Sequence, residues 1–272
     1  MLYDIRDKYR AAKTLENLTG VSEKRWLREE EQNIGRIDYS REDEDIKRII
    51  KENHGYYPKL EEIELVLTHI TTSSDECQSI KDNGLLDLGK SYQLTSSDLR
   101  KFLNLNGIEI LIDDCKLRYG GREYDIKYTP YPPKNEFSKE YNAWLVGRRF
   151  YFDYTICGFL SINSRDVYGG YVHIRPEVLS DIDNLLETDL QNQWIKTHDA
   201  YEISFIVPEH DCVYNGWTDN EDQERIMYYL IEAYHCICTG SKTIEILCEN
   251  GIDIYPEQIL ECKRFKQWNT IK

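Results

Sequence analysis

Leu67-Thr68-His69-Ile70-Thr71-Thr72-Ser73-Ser74-Asp75-Glu76-Cys77-Gln78-Ser79-Ile80-Lys81-Asp82-Asn83-Gly84-Leu85 is the stretch on which the reading of the fold turns. Its start continues Ile63-Glu64-Leu65-Val66 into one β-rich run that reaches Ile70. Ser74 to Asn83 then reads as a short helix, with Ser74 as its cap and Gly84 closing it at the C′ position. The two flanks differ in texture. Upstream, residues 1–60 read as helices. Tyr3, Tyr9, Ala12, Leu15 and Leu18 recur at roughly helical spacing, Gly20 punctuates, and Ser22 caps a second helix through Trp26 and Leu27. Ser40 precedes Glu42-Asp43-Glu44-Asp45 and Ile46-Lys47-Arg48-Ile49-Ile50, with acid in the first turn and base further on, as the helix dipole favours. Downstream, strands are expected at Trp144–Val146, Phe150–Tyr154, Gly170–His173, Tyr201–Val207, Lys242–Leu247 and Leu260–Phe265. Helices are expected at Ser96–Leu103 and at Glu221–Cys238, the latter ended by Gly240. Tyr119 to Phe137, with Gly120-Gly121 and Pro130, Pro132 and Pro133, reads as a long loop. Strands predominate after residue 60 without regular βαβ alternation. The expectation is an α+β protein with a helical N-terminal extension at 1–60 and a single larger domain at 61–272.

Composition narrows the function classes. The 272 residues carry 34 Lys+Arg against 49 Asp+Glu, a formal net charge of -15. Residues 1–60 hold 13 basic and 13 acidic side chains, so the remainder carries the whole excess. An acidic body repels phosphate backbones at long range, which disfavours a general nucleic-acid binder but leaves room for a local basic groove. With 12% aromatic residues, the chain is not a disordered one. No apolar run approaches the ~20 residues of a membrane helix, and Met1-Leu2-Tyr3-Asp4-Ile5-Arg6-Asp7 does not look like a signal peptide. A cytoplasmic protein without a membrane partner is expected, and its eight cysteines read mostly as reduced, buried small hydrophobes.

The His-Ile-Thr strand, short helix and Gly-Leu turn of residues 69–85 resemble the opening motif of ADP-ribosyltransferases, most of all the DarT-type toxins. Gly147-Arg148-Arg149-Phe150-Tyr151-Phe152-Asp153-Tyr154 resembles the Tyr-Phe strand of the second motif in that superfamily. Lys242-Thr243-Ile244-Glu245-Ile246-Leu247, followed by Ile252 and Pro256-Glu257-Gln258-Ile259, resembles the closing motif. The order His69, Tyr151, Glu245 matches the His-Tyr-Glu branch. The resemblance covers about residues 61–265 and implies split antiparallel β-sheets with short helices. It implies that NAD+ is the co-substrate and that no metal is required. It makes His69 the partner of the adenosine ribose and puts the Thr71–Ser73 backbone, Thr72 included, near the nicotinamide half. Gly84 and Leu85 of the turn lie beside the cofactor in the same motif. Tyr151 is the ring that stacks on nicotinamide, with Tyr154 a second candidate. Glu245 is the catalytic carboxylate, which stabilises the oxocarbenium-like state formed as the bond between nicotinamide and ribose breaks.

Each of these residues also has a plainer reading. His69 fits a histidine satisfied at a strand end, the aromatic run fits a core strand, and Glu245 fits a surface-facing edge residue. Glu202 is the second candidate for the carboxylate. DarT-type proteins carry a Pro-rich segment after the Tyr-Phe strand, where this chain reads Tyr154-Thr155-Ile156-Cys157-Gly158-Phe159-Leu160. The acidic Asp75 and Glu76 argue against the related RNA 2′-phosphotransferases, which hold a phosphate at the first motif. His210, Cys212, His235, Cys236 and Cys238 lack the Cys-x2-4-Cys spacing usual for structural zinc. Arg148-Arg149 and Lys263-Arg264 with Lys266, beside Trp268, are small basic clusters able to guide a phosphate backbone. The resemblance implies transfer of ADP-ribose to a macromolecule, nucleic acid before protein, in a toxin or phage-defence role with an antitoxin or regulatory partner. The alternative is a non-catalytic binding module on the same fold.

Overall fold

The computed structural model describes residues 1–33, 42–163, 171–214 and 222–264. Ser40, Gly170, Glu221, Phe265, Lys266 and Trp268 of the sequence reading lie outside the described residues. In chain order the elements are β1 (Leu2–Tyr3), α1 (Lys8–Thr19), α2 (Glu23–Asn33), α3 (Glu42–Glu52), β2 (Glu64–Ser73), α4 (Gln78–Asn83), α5 (Leu88–Gln93) and α6 (Asp98–Leu105). Next come β3 (Ile108–Leu111), β4 (Lys116–Tyr119), β5 (Arg122–Asp125), α7 (Lys139–Tyr151), β6 (Cys157–Ser161), α8 (Glu177–Leu186) and α9 (Leu190–Ile195). The chain continues with β7 (Asp199–Pro208), β8 (Cys212–Tyr214), α10 (Asp222–Thr239), β9 (Ile244–Cys248) and β10 (Ile259–Arg264). The fold is α+β with antiparallel sheets. It divides into two compact units, one made by the described residues of 1–69, 157–166 and 204–249, the other by those of 70–156, 167–203 and 250–272.

In the first unit the strand order runs β7-β2-β6-β9-β8, with the short β1 parallel to the start of β2. Neighbours β2 and β6, β6 and β9, and β8 and β9 pair antiparallel. Leu65, Val66 and Leu67 are all buried. Because successive strand residues point to opposite faces, three buried in a row mean that β2 is covered on both sides. The helices of residues 1–60 belong to this unit. Asp7 caps α1 by accepting from the Tyr9 and Arg10 amides, both at 3.0 Å. The buried side of α1 is Ala11, Ala12, Leu15 and Leu18, which packs on α10. Tyr3, read as part of that helix, instead lies in β1, and Tyr9 is exposed. Asp4 and Thr14 join β1 to α1 through two hydrogen bonds, so Tyr3 enters the core as a strand residue. Its phenol donates to the Tyr229 carbonyl on α10 at 2.8 Å. Each fully buried large apolar side chain contributes roughly 1.5–3 kcal/mol.

The second unit has a separate core. Leu99, Leu103, Ile108, Leu117, Val146, Phe150, Ile182, Leu185 and Trp194 come together from α6, β3, β4, α7, α8 and α9. The three-stranded sheet β3-β4-β5 is an antiparallel meander, and β10 pairs beside β7. Four expectations fail here. The strands expected at Trp144–Val146 and Phe150–Tyr154 are parts of α7 and its exit. Ala143, Val146, Gly147 and Phe150 are the buried residues, a spacing of three, one and three that only a helix turns to one side. Ser138 caps that helix by accepting from the Tyr141 amide at 3.1 Å. Core burial on a helical stripe overrides the β preference of the aromatic run Phe150-Tyr151-Phe152. In the expected strand at Gly170–His173, the described residues Tyr171–His173 form a turn, in which Ile174 N–H donates to the Tyr171 carbonyl at 2.8 Å. The loop expected over 119–137 begins with a hairpin. Tyr119 pairs with Arg122 around Gly120-Gly121, and only the part after β5 lacks strand or helix.

Gly84 shows how tightly the chain is drawn together after α4. Its φ is +81°, and a Cβ there would lie 1.9 Å from the Ile254 carbonyl oxygen. That approach lets Leu85 and Ile254 exchange two backbone hydrogen bonds, both 2.9 Å. Gly84→Ala is therefore expected to lower the unfolding free energy by about 2 kcal/mol or more, through backbone overlap and a left-handed φ. Urea unfolding measures this, and an unchanged midpoint would show that the bridge does not form.

Candidate functional site

The sequence-predicted residues fall into two groups, one in each unit. In the first unit, β6 lies between β2 and β9, and Cys157 at its start touches both predicted polar residues. The His69 Nδ1 lies 2.8 Å from the Cys157 carbonyl oxygen. The Cys157 thiol donates to Glu245 Oε1 at 3.0 Å. Register gives the arrangement its geometry. Thr68 pairs with Phe159 and Phe159 with Glu245, so these three side chains share one face of the sheet. His69, one residue on from Thr68, lies opposite Gly158 and Ile246 and starts from the other face. Gly158 has no room for a side chain, since a Cβ would stand 2.8 Å from that of Leu67. The absent side chain leaves the imidazole free to lean across β6 to the Cys157 carbonyl. His69 and Glu245 thus meet through one residue, but their side chains do not start from one face.

The chemistry of His69 follows from that contact. A carbonyl only accepts, so Nδ1 carries the proton. Burial lowers the ring's pKa from its ordinary 6.5, and the carbonyl hydrogen bond opposes this without overcoming it. The neutral ring leaves Nε2 as an acceptor, the role that a hydroxyl donor such as a ribose would need. Glu245 is exposed as the second residue of β9, between buried Ile244 and Ile246. Cys157, which the motif reading passed over, is the residue that links the two; the only signal for it in the sequence is its place at the start of a strand. Glu202 is half-buried on β7.

In the second unit the remaining residues are occupied by the fold. Ser73 and Asp75, not Ser74, order the turn into α4. Ser73 Oγ accepts from the Asp75 and Cys77 amides, Asp75 accepts from the Gln78 amide at 3.1 Å, and Cys77 adopts a left-handed φ of 61°. Ser74 fails as the cap because its amide and hydroxyl are both bound to Asp98. Thr71 is half-buried, and the Thr72 hydroxyl accepts from the indole of buried Trp194 at 2.9 Å. Gly84 and Leu85 pair with Ile254, as described above. Tyr151 lies in the last turn of α7, where its phenol donates to the Ile112 carbonyl at 2.9 Å and burial pushes its pKa up. Tyr154 is exposed, and its backbone carbonyl accepts from Gly251 N–H at 3.4 Å.

No family model, curated protein or solved structure matches this chain.

Among the described residues, no group of three His, Cys, Asp or Glu side chains is placed to hold a metal ion. His235 pairs with Glu42, and the Cys236 thiol donates to the Ile5 carbonyl at 3.2 Å. No described helix is long and apolar enough to cross a membrane.

The His69 geometry predicts a titration. Because its folded pKa lies below the unfolded value, the ring is less protonated in the folded protein at pH 6.5 than in the unfolded chain, which is half protonated there. Its contribution to stability is whole above that pH. It declines as pH falls from there towards the folded pKa. Imidazole NMR on the protein and on His69→Gln assigns the signal, and a midpoint at or above 6.5 would overturn the buried, Nδ1-protonated ring.

Proposed function

We propose that this protein is an NAD+-dependent ADP-ribosyltransferase that modifies a macromolecule, acting in the cytoplasm as a toxin or defence effector. The observation that carries the proposal is the meeting of His69 and Glu245 at Cys157, from two segments far apart in the chain. A second contact supports it. The Gly-Leu turn of the first motif pairs with Ile254, just beyond the closing motif strand. Glu245 would stand beside the ribose 2′-hydroxyl and stabilise the positive charge that builds as nicotinamide leaves. His69 Nε2 would accept from the adenosine ribose. No covalent enzyme intermediate is needed, since the acceptor is the nucleophile.

Nucleic acid is favoured as acceptor by a surface on the second unit. Tyr141, Trp144, Tyr128 and Phe152 form a run of near-parallel rings, with centroids 5.8, 5.8 and 4.8 Å apart. Phe152 is exposed beside them, and Tyr131 and Phe137 project into solvent at 86% and 95% exposure. Over residues 127–148 the charged groups are Lys127, Lys134, Lys139 and Arg148 against Glu136 and Glu140, a local basic excess in an acidic chain. Rings for base stacking beside basic groups are what an unpaired strand binds.

A second reading, a non-catalytic binding module, is favoured by one observation. Glu245 and His69 start from opposite faces of the sheet, while the reaction needs both at one NAD+.

Cell extract given NAD+ tagged on adenine separates these readings. The proposal expects label with the wild type, a loss of at least about 100-fold with Glu245→Gln, and label destroyed by nuclease but not protease. Label destroyed only by protease would move the acceptor to protein. Equal label from wild type and Glu245→Gln, or none from either with purified protein that fails to bind NAD+, would leave the binding module.

A further inference from the structure

We infer that Cys212 and Cys248 form a redox-active dithiol, which a hydroperoxide closes to a cross-strand disulfide. All eight cysteines are reduced in the structure. Strands β8 and β9 pair antiparallel with Cys212 directly opposite Cys248. Glu249 N–H donates to the Asp211 carbonyl at 2.8 Å, just outside the pair. That hydrogen bond makes Cys212 and Cys248 a non-hydrogen-bonded pair, the kind whose Cα atoms lie closest, about 4.5 Å apart. A disulfide needs Cα atoms roughly 4.4–6.8 Å apart with both Cβ atoms on one side. Residues directly opposite in a ladder share a face, so both conditions are met without movement of the backbone. The neighbouring Cys248 thiol and burial push the Cys212 pKa up, so the closed pair is unreactive and the thiolate forms only as β8 opens.

Access is limited but present. Cys212 is 8% exposed and Cys248 0%. The three-residue strand β8 ends the sheet order, so opening one short ladder uncovers both. Cys212, the more accessible, would react first. Its sulfur attacks a peroxide oxygen, the O–O bond breaks, water leaves, and a sulfenic acid forms. The Cys248 sulfur then attacks the sulfenic sulfur, and the second water leaves. In sum, two S–H bonds are exchanged for one S–S bond, and hydrogen peroxide is reduced to two waters. The product would fasten the edge strand to β9, the strand that carries Glu245, and would close the chain between 212 and 248 into a loop in the unfolded state. A second cysteine pair, Cys77 and Cys262 in the other unit, has no strand register that sets it face to face. It serves as an internal comparison.

The chemistry stands apart from ADP-ribosyl transfer, and its test does not read activity. The full-length reduced protein is treated with hydrogen peroxide under native conditions, denatured, alkylated and digested for peptide mass mapping. The expected result is a linked peptide pair through Cys212 and Cys248, lighter by two hydrogens than the reduced peptides and separated again by a dithiol reductant. The oxidised protein is also expected to unfold at a higher temperature than the reduced one. Cys212→Ser removes the link and the rise in midpoint, and Cys248→Ala does the same if the first variant folds poorly. Wild-type protein in which both residues remain alkylatable after peroxide, or in which either links to another cysteine such as Cys157, overturns the assignment.

Discussion

Strand β2 is the constraint on which the first unit depends. Its Leu65-Val66-Leu67 core is buried on both faces, and a buried strand must find partners for its backbone on both edges. Strand β6 supplies one antiparallel neighbour, β7 follows β2 in the strand order, and β1 adds a short parallel contact at the start. Everything placed near the predicted chemistry follows from that demand. Because β6 must pair with β2, Cys157 and Gly158 lie beside His69. Because β6 also pairs with β9, Glu245 stands across from Phe159.

The same ladder limits the site. A pleated sheet assigns faces by parity, so a residue cannot move to the other face without a slip in register that would expose its apolar neighbours. Thr68, Phe159 and Glu245 are held together by that rule, and His69 is held from the other side. The glycine at 158 partly offsets the separation, since its missing side chain lets the His69 ring lean over β6. Cys157 then does two jobs. Its carbonyl sets the His69 tautomer, and its thiol holds one oxygen of the Glu245 carboxylate.

In the second unit, polar groups that the motifs offered to a cofactor have partners of their own. Thr72 accepts from Trp194, Tyr151 donates to Ile112, and Gly84 is closed over by the Ile254 backbone. Trp194 also stacks on His198 with ring centroids 3.4 Å apart, so the end of β2 is tied through Thr72 to the aromatic part of that core. A ligand drawn to these residues would meet backbone groups and ring faces rather than free hydroxyls.

Much of this was legible in the sequence, for reasons that differ from element to element. The β-rich run at 63–70, the partial alternation of Tyr201–Val207, the helix before Gly20 and the long helix before Gly240 are local patterns, and their neighbours only reinforce them. Glu245 between Ile244 and Ile246 already pointed outward by parity alone. Tyr151 was misread because three aromatic residues in a row favour a strand locally, while the buried stripe of Ala143, Val146 and Phe150 appears only once a core exists to receive it. Ser74 lost its cap role to Ser73 and Asp75 because Asp98, from another helix, claimed its donors. By itself the sequence determined the α+β class, the strands near 63–70, 201–207 and 242–247, the helices before Gly20 and Gly240, and which face of β9 carries Glu245, since these follow from propensity and periodicity within a few residues; it marked neither β6 as a strand nor α7 as a helix. Only the tertiary structure decided that β6 separates β2 from β9, that Cys157 joins His69 to Glu245, and that Cys212 faces Cys248. Those are matters of strand order and register, which depend on contacts between segments far apart in the chain.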